Sequence, residues 1–263
     1  MPDLRIFSYL PNPRLSKAVI AAHYSGANIE IVGDAPRELT QWLWDFDARK
    51  LTEADKPGLA HFARTGSLGF AGLTLYKSDA FLRAHPLGSV PAGFSGDGSV
   101  GIFESNAIMR AAARSGSKNH GLLGQGPLGE SRVDAFLDRS LVFACDTQRY
   151  LLAADELTEH LYNDMARSLV SYTTGLDSSL QYSEFIVGDE ITLADIAAVC
   201  ELSLFTNEAR MTEQLSAISK QALAPQLSSC AALGEYLQRM AQIDSFHKEL
   251  GEYLEKLLVH WTA

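Results

Sequence analysis

Cysteine is scarce in this chain of 263 residues: Cys145, Cys200 and Cys230 lie far apart and are odd in number. That excludes a disulfide framework. The absence of any Cys-x-x-Cys pair removes the common thiol-redox and zinc patterns, so no metal site is expected. The three thiols are expected to act as small buried hydrophobes in a reducing compartment. Positive charge is also short, with 22 Lys and Arg against 32 Asp and Glu, a net charge of -10. No basic stripe runs through the sequence, which argues against a nucleic-acid partner, because phosphate neutralisation dominates such binding. No stretch approaches the ~18 apolar residues of a membrane span, so no membrane partner is expected. Met1-Pro2-Asp3-Leu4-Arg5 has no basic segment ahead of a long apolar run, so no secretory leader is expected and the expected location is cytoplasmic. Internal repeats and low-complexity tracts are missing as well.

Hydrophobic residues make up 46% of the chain and charged residues 21%, enough for a packed core in two ordinary domains or one large one. Leu4-Arg5-Ile6-Phe7-Ser8-Tyr9 alternates like a strand and runs into the turn Pro11-Asn12-Pro13. Helical spacing follows from Leu15 to Ser25, closed by Gly26; Asn28 to Val32 alternates again. Strand, helix and strand in about 30 residues imply a parallel pair with a crossover helix. Later, Ser89–Phe94 and Ser99–Phe103 flank Ser95-Gly96-Asp97-Gly98, and Asp-Gly between extended runs predicts a hairpin. A helix is expected from Ala107 to Ala113. The sum is an α/β domain over residues 1–114 with its antiparallel pair at one end.

Residues 115–128 begin with the polar, turn-rich Ser115-Gly116-Ser117-Lys118-Asn119-His120-Gly121 and read as a linker. From there to 263 only helical periodicity is found, so residues 129–263 are expected to form an all-α bundle.

Three short segments carry the chemistry. Val90-Pro91 stands at a strand start, where a cis bond is one option and a plain edge proline the other. A cis arrangement would turn the Val90 backbone toward a ligand. Glu104-Ser105-Asn106 precedes a helix; Ser105 is a good N-cap type, the free N–H groups of a helix start attract a carboxylate, and Glu104 beside it can accept from an ammonium group. Thr192 and Asp195 form a capping-box variant ahead of Ile196-Ala197-Ala198-Val199, and its expected role is structural.

These segments, in this order, resemble the glutathione transferase superfamily, whose helical half carries the capping box after a turn like Val187-Gly188-Asp189-Glu190. Lys17 to Ala27 and Phe103 to Ile108 are similar to the transferase-like region of translation elongation factor 1B gamma. The resemblance implies a thioredoxin-like domain followed by a helical bundle, with glutathione as co-substrate. It implies that Val90 pairs its backbone with the cysteinyl unit, beside Pro91, and that Glu104 and Ser105 hold the γ-glutamyl end. It places the thiol-activating group in the loop Tyr9 to Lys17. That loop looks like the Pro-Asn-Gly-x-Lys loop of transferases that use an asparagine, which points to Asn12, with Tyr9 and Ser16 as the other donors. An amide can donate to a thiolate and lower the thiol pKa without titrating. Arg14 is placed to meet a glycyl carboxylate or to stay solvated.

The sequence departs from the family at Ser89, where many members carry lysine or glutamine before Val-Pro, and at Pro13. The larger departure is an aromatic-rich insertion at about 38–78, containing Trp42, Trp44, Phe46, His61, Phe62, Phe70 and Tyr76. It is expected to hold one or two helices, around Pro36–Lys50 and Glu53–Arg64, then a glycine-rich loop. Its aromatics are read as the roof of an acceptor pocket, a subunit contact or ordinary packing. The functional expectation is attack of a glutathione thiolate on a hydrophobic, aromatic electrophile held between the domains, extending to aryl-ether cleavage as in bacterial glutathione-dependent β-etherases. The alternative is a non-catalytic interaction module like elongation factor 1B gamma, or the partner subunit of a heterodimer. Against the module stands the expectation that a chain ending at Ala263 leaves no room for the further domain such factors carry. A homo- or heterodimer is implied by the family alone.

Overall fold

The computed structural model describes residues 1–67, 69–118, 120–153 and 156–261. Two compact units divide at Lys118 and Asn119. The linker reading at 115–128 includes Asn119, and the insertion includes Leu68; both residues lie outside the described set, as do the chain's last two.

In the first unit the elements run β1 (Leu4–Tyr9), α1 (Pro13–Ser25), β2 (Ile29–Asp34), β3 (Trp42–Trp44), β4 (Arg49–Lys50), β5 (Ala63–Thr65), β6 (Thr74–Lys77), α2 (Asp79–Ala84), β7 (Ala92–Ser95), β8 (Gly101–Ile102) and α3 (Ser105–Ser115). One sheet has the order β2-β1-β7-β8, with β1 and β2 parallel and the other pairs antiparallel. This is the βαβ–ββα arrangement that the sequence pattern implies. Asn12 caps α1, Pro13 occupies its first turn, and Gly26 closes it at φ 74° with its N–H on the Ala22 carbonyl. Helices α1 and α3 pack together, and Ser25 Oγ donates to the Ala112 carbonyl at 2.8 Å. The front of the linker belongs to this unit, since Lys118 N–H donates to the Ser25 carbonyl at 2.9 Å.

The insertion differs from the helices expected there. It forms a second sheet of order β4-β3-β6-β5, and among its described residues the helical segments are 3₁₀ turns at Pro36–Gln41 and Lys56–Phe62. Each segment is short and has a proline in its first turn, whereas Trp42-Leu43-Trp44 alternates and places both indoles on one face. Trp42 and Trp44 turn inward onto Phe7, at 5.8 and 5.4 Å between ring centroids. With Leu39, Ala48, Leu75, Phe81, Ala92 and Phe94 they form one buried cluster. Each fully buried large ring here contributes ~2–3 kcal/mol, so the insertion is bonded into the domain core rather than draped on it.

The second unit contains α4 (Gly126–Leu151), α5 (Glu159–Leu180), α6 (Leu193–Phe205), α7 (Thr212–Ala217), α8 (Ala231–Ala241) and α9 (Asp244–Leu258), with no strand among its described residues. All residues of α6 are buried, as a helix apolar on every face must be. Its capping box is complete: Thr192 N–H and Oγ1 both donate to Asp195 Oδ2 at 2.8 Å. Asp195 Oδ1 accepts from the Ile186 N–H and from Tyr236 OH, each at 2.9 Å. Cys200 and Cys230 are buried as expected, but Cys145 is exposed, because it falls on the outer side of α4. No helix among the described residues is long and apolar enough to cross a membrane.

Candidate functional site

The candidate residues gather where β1 and β8 end and β7 begins, all within the first unit. The β1–β7 register pairs Phe7 with Ala92, so the chain leaves β1 through Tyr9 at the end from which Val90-Pro91 leads into β7. The β7–β8 register pairs Gly93 with Ile102, so Glu104, two residues past β8, leaves the sheet at that same end. Tyr9, Val90 and the start of α3 are thus neighbours by topology, although they lie far apart in sequence.

The Val90–Pro91 peptide is cis, as is Leu10–Pro11. Neither the N–H nor the C=O of Val90 is hydrogen-bonded to any described residue. The side chain of Val90 rests on the aromatic cluster, and so does Tyr9.

Helix α3 begins earlier than expected. Ser105 is its first helical residue rather than its cap, and the cap position falls to Glu104, at φ 68° and ψ 124°. Positive φ in a residue with a Cβ costs about 1–3 kcal/mol and persists only where surroundings impose it. No side chain caps this helix, so its first N–H groups remain directed outward. The Glu104 side chain is exposed and has no ion-pair partner among the described residues.

Lys17, in α1, reaches this spot from below. It is 1% exposed, and its Nζ donates to Asn106 Oδ1 at 2.8 Å and to Ser105 Oγ at 3.2 Å. Because the Ser105 oxygen accepts from Lys17, its own hydrogen is free to be donated outward. A buried ammonium, a donating hydroxyl and an uncapped helix start together favour an anion at this point. Sequence reasoning misses Lys17. The available signal is a lysine falling with Pro13, Ile20 and Ala21 on the buried face of α1.

The thiol-donor candidates are placed unequally. Asn12 is 3% exposed and already occupied: its Oδ1 accepts from the Arg14 N–H at 2.9 Å and its Nδ2 donates to Ser8 Oγ at 3.0 Å. Ser16 is 8% exposed, with its hydroxyl directed to the Asn12 carbonyl. Tyr9 is half-buried at the open end of β1, and Arg14 is half-exposed at the start of α1.

Two cationic-type groups border the Val90 loop. His85 is 1% exposed, stacked on Phe81 at 5.0 Å and edge-on to Phe94 at 4.6 Å. Burial lowers its pKa to about 4, and the nearby Gly93 backbone offsets this only in part, since neither ring nitrogen makes a hydrogen bond of normal geometry. It is therefore a neutral packing residue. Lys77, at the end of β6, donates to the Gly88 carbonyl at 2.7 Å and lies over the Trp44 ring at 4.6 Å. Desolvation holds its pKa below the ordinary lysine value.

No protein-family model matches the chain. Elongation factor 1-gamma of Rattus norvegicus is 30% identical over 201 residues, covering 75% of this chain and 37% of that protein. The chain thus spans little more than a third of the length of the curated relatives it matches. Among solved structures, a delta-class glutathione transferase from Nilaparvata lugens superposes with a TM-score of 0.62 at 15% identity, covering 98% of both chains. A theta-class glutathione S-transferase from Xanthomonas axonopodis pv. citri, solved with glutathione bound, does so with a TM-score of 0.58 at 17% identity, covering 95% and 98%. The chain has the glutathione transferase fold, a thioredoxin-like domain followed by a helical one.

Proposed function

We propose that this protein binds glutathione in its first unit and presents the thiolate to a hydrophobic, aromatic electrophile. The observation that carries the reading is the open Val90 backbone beside the uncapped, positive-φ start of α3. A peptide can pair with Val90 as an added strand. Its γ-glutamyl carboxylate then meets Ser105 and the α3 N–H groups, and its ammonium group meets Glu104. Tyr9, half-buried at the end of β1, is the favoured donor to the sulfur; Asn12, which keeps one amide hydrogen, is the alternative. Donation to the thiolate lowers the thiol pKa, so more of the ligand is nucleophilic at neutral pH. Attack forms a carbon–sulfur bond and expels a leaving group, which for an aryl ether is a phenolate. Pairing with a second copy or a related chain belongs to this reading.

The test is turnover of a chloronitroaromatic electrophile with millimolar glutathione, together with thermal stabilisation by glutathione alone. Tyr9→Phe is expected to lower turnover by about tenfold or more with an unchanged unfolding midpoint. If glutathione neither raises the midpoint nor supports turnover, the enzyme reading fails. A protein-docking role would then take its place, favoured by the 30% identity to elongation factor 1-gamma.

A further inference from the structure

The helical unit carries a cavity that the glutathione reading does not use. Its volume is about 480 Å³, within the usual range for small-molecule sites, and it lies between Arg132 of α4 and the last turns of α5 with the turn that follows them. The lining is fixed before any ligand arrives. Ser179 Oγ donates to the Ile186 carbonyl at 2.9 Å, and Ser183 Oγ donates to the Phe185 carbonyl at 2.6 Å. Asp195 holds the Ile186 N–H in turn, so the capping box anchors this turn as well as α6. Gly175 leaves room on the α5 side, since a Cβ there would meet nothing within 4 Å.

The free groups of the lining have both hydrogen-bonding senses. Arg132 lies over the Phe136 ring at 4.8 Å and forms no hydrogen bond or ion pair with a described residue. The Ser178 hydroxyl and the N–H groups of Val187 and Gly188 are also unbonded among the described residues. All of these can donate. Ser179 and Ser183 have committed their hydrogens to carbonyls, so toward a ligand their oxygens can only accept. An oxyanion would meet those oxygens lone pair to lone pair. The unit's 21 Asp and Glu against 9 Lys and Arg would repel it further. Donors interleaved with acceptors suit hydroxyl groups instead, because each hydroxyl does both. The ring of Tyr182, 89% exposed, adds a flat apolar platform beside them.

We propose that this cavity binds a small neutral saccharide, one or two rings in size, with one ring face on Tyr182 and hydroxyls on Arg132, Ser178 and the two accepting serine oxygens. The site is contained in the helical unit and is independent of the glutathione reading.

The full chain, isotope-labelled for amide NMR, is titrated with methyl glucoside, methyl galactoside and maltose at up to tens of millimolar, and separately with sodium phosphate. At least one of the sugars is expected to shift the amides of 175–188 saturably, with a millimolar Kd, while phosphate leaves them in place. Tyr182→Ala, at an exposed position that the fold does not need, and Arg132→Gln are each expected to weaken that binding about tenfold. Gly175→Leu, which fills the cavity and favours the helix, is expected to abolish it with the rest of the spectrum unchanged. The proposal is overturned if none of the sugars shifts these amides, or if phosphate does so in their place. It is equally overturned if Tyr182→Ala and Gly175→Leu both bind sugar as the parent does.

Discussion

The two units bury polar groups in opposite ways. In the helical unit, Asp195 receives four hydrogen bonds, two on each oxygen. Glu208 receives three, from Tyr150 OH at 2.7 Å and from the Leu223 and Ala224 N–H groups at 2.9 and 2.8 Å. Each carboxylate ties together segments distant in sequence, and neither has capacity left for a ligand. The thioredoxin-like unit instead leaves groups open: the Val90 backbone, the Glu104 carboxylate and the start of α3, which no side chain caps. Saturated polar groups hold a fold together, and open ones in a common neighbourhood mark where something else is to bind. Asn12 tests this distinction because it is a largely engaged group, bonded through Oδ1 and one amide hydrogen, within the open neighbourhood.

The largest effect is expected where saturation is complete. Asp195→Ala strands the Tyr236 hydroxyl and two backbone N–H groups in a dry interior, and should cost about 3 kcal/mol or more in denaturant unfolding. A shift below about 1 kcal/mol would mean that the network is not what holds α6. An intermediate effect belongs to His85. Its folded pKa of about 4 lies below the ordinary 6.5, so the unfolded chain binds more protons between those values. The contribution is complete above about pH 6.5 and falls away as pH drops toward 4. At pH 5 the loss should be on the order of 1–2 kcal/mol once residual screening is allowed for. His85→Phe should flatten the stability profile between pH 7 and 5 relative to the parent, and parallel profiles would exclude His85 as the titrating group. The smallest effect is expected at Asn12. Its replacement by alanine removes a cap and the bond to Ser8, costing about 1 kcal/mol, with a smaller loss of turnover than Tyr9→Phe produces. Reversal of that order would make Asn12 the sulfur donor and show that a largely engaged group can still serve the ligand.

How legible each part is in the sequence depends on how local its determinants are. The turn at Asp97-Gly98 is readable because Asp97 Oδ1 collects the Ser95 and Ser99 hydroxyls and the Ser99 N–H, all within two residues. The Thr192–Asp195 box is readable for the same reason. The insertion reads as helical, wrongly, because its strands are two to four residues long and pair across large gaps; β3 lies beside β6, with Trp44 opposite Lys77. No periodic signal develops in such short runs. At the site, Ser105 looks like a cap, but Glu104 takes that position in a strained conformation that local propensity would not select.

The sequence by itself determined the order of elements outside the insertion, the Val90-Pro91 and Glu104-Ser105 segments and the capping box, since spacing, turn chemistry and hydrophobic period act over a few residues. Only the tertiary structure decided that Trp42 and Trp44 pack inward on Phe7, that Lys17 lies buried under Ser105, and that Lys77 reaches the Gly88 carbonyl. Each of these depends on strand pairing or helix docking between distant segments. Burial and the electrostatic environment of a charge are properties of that packing, not of its neighbours along the chain.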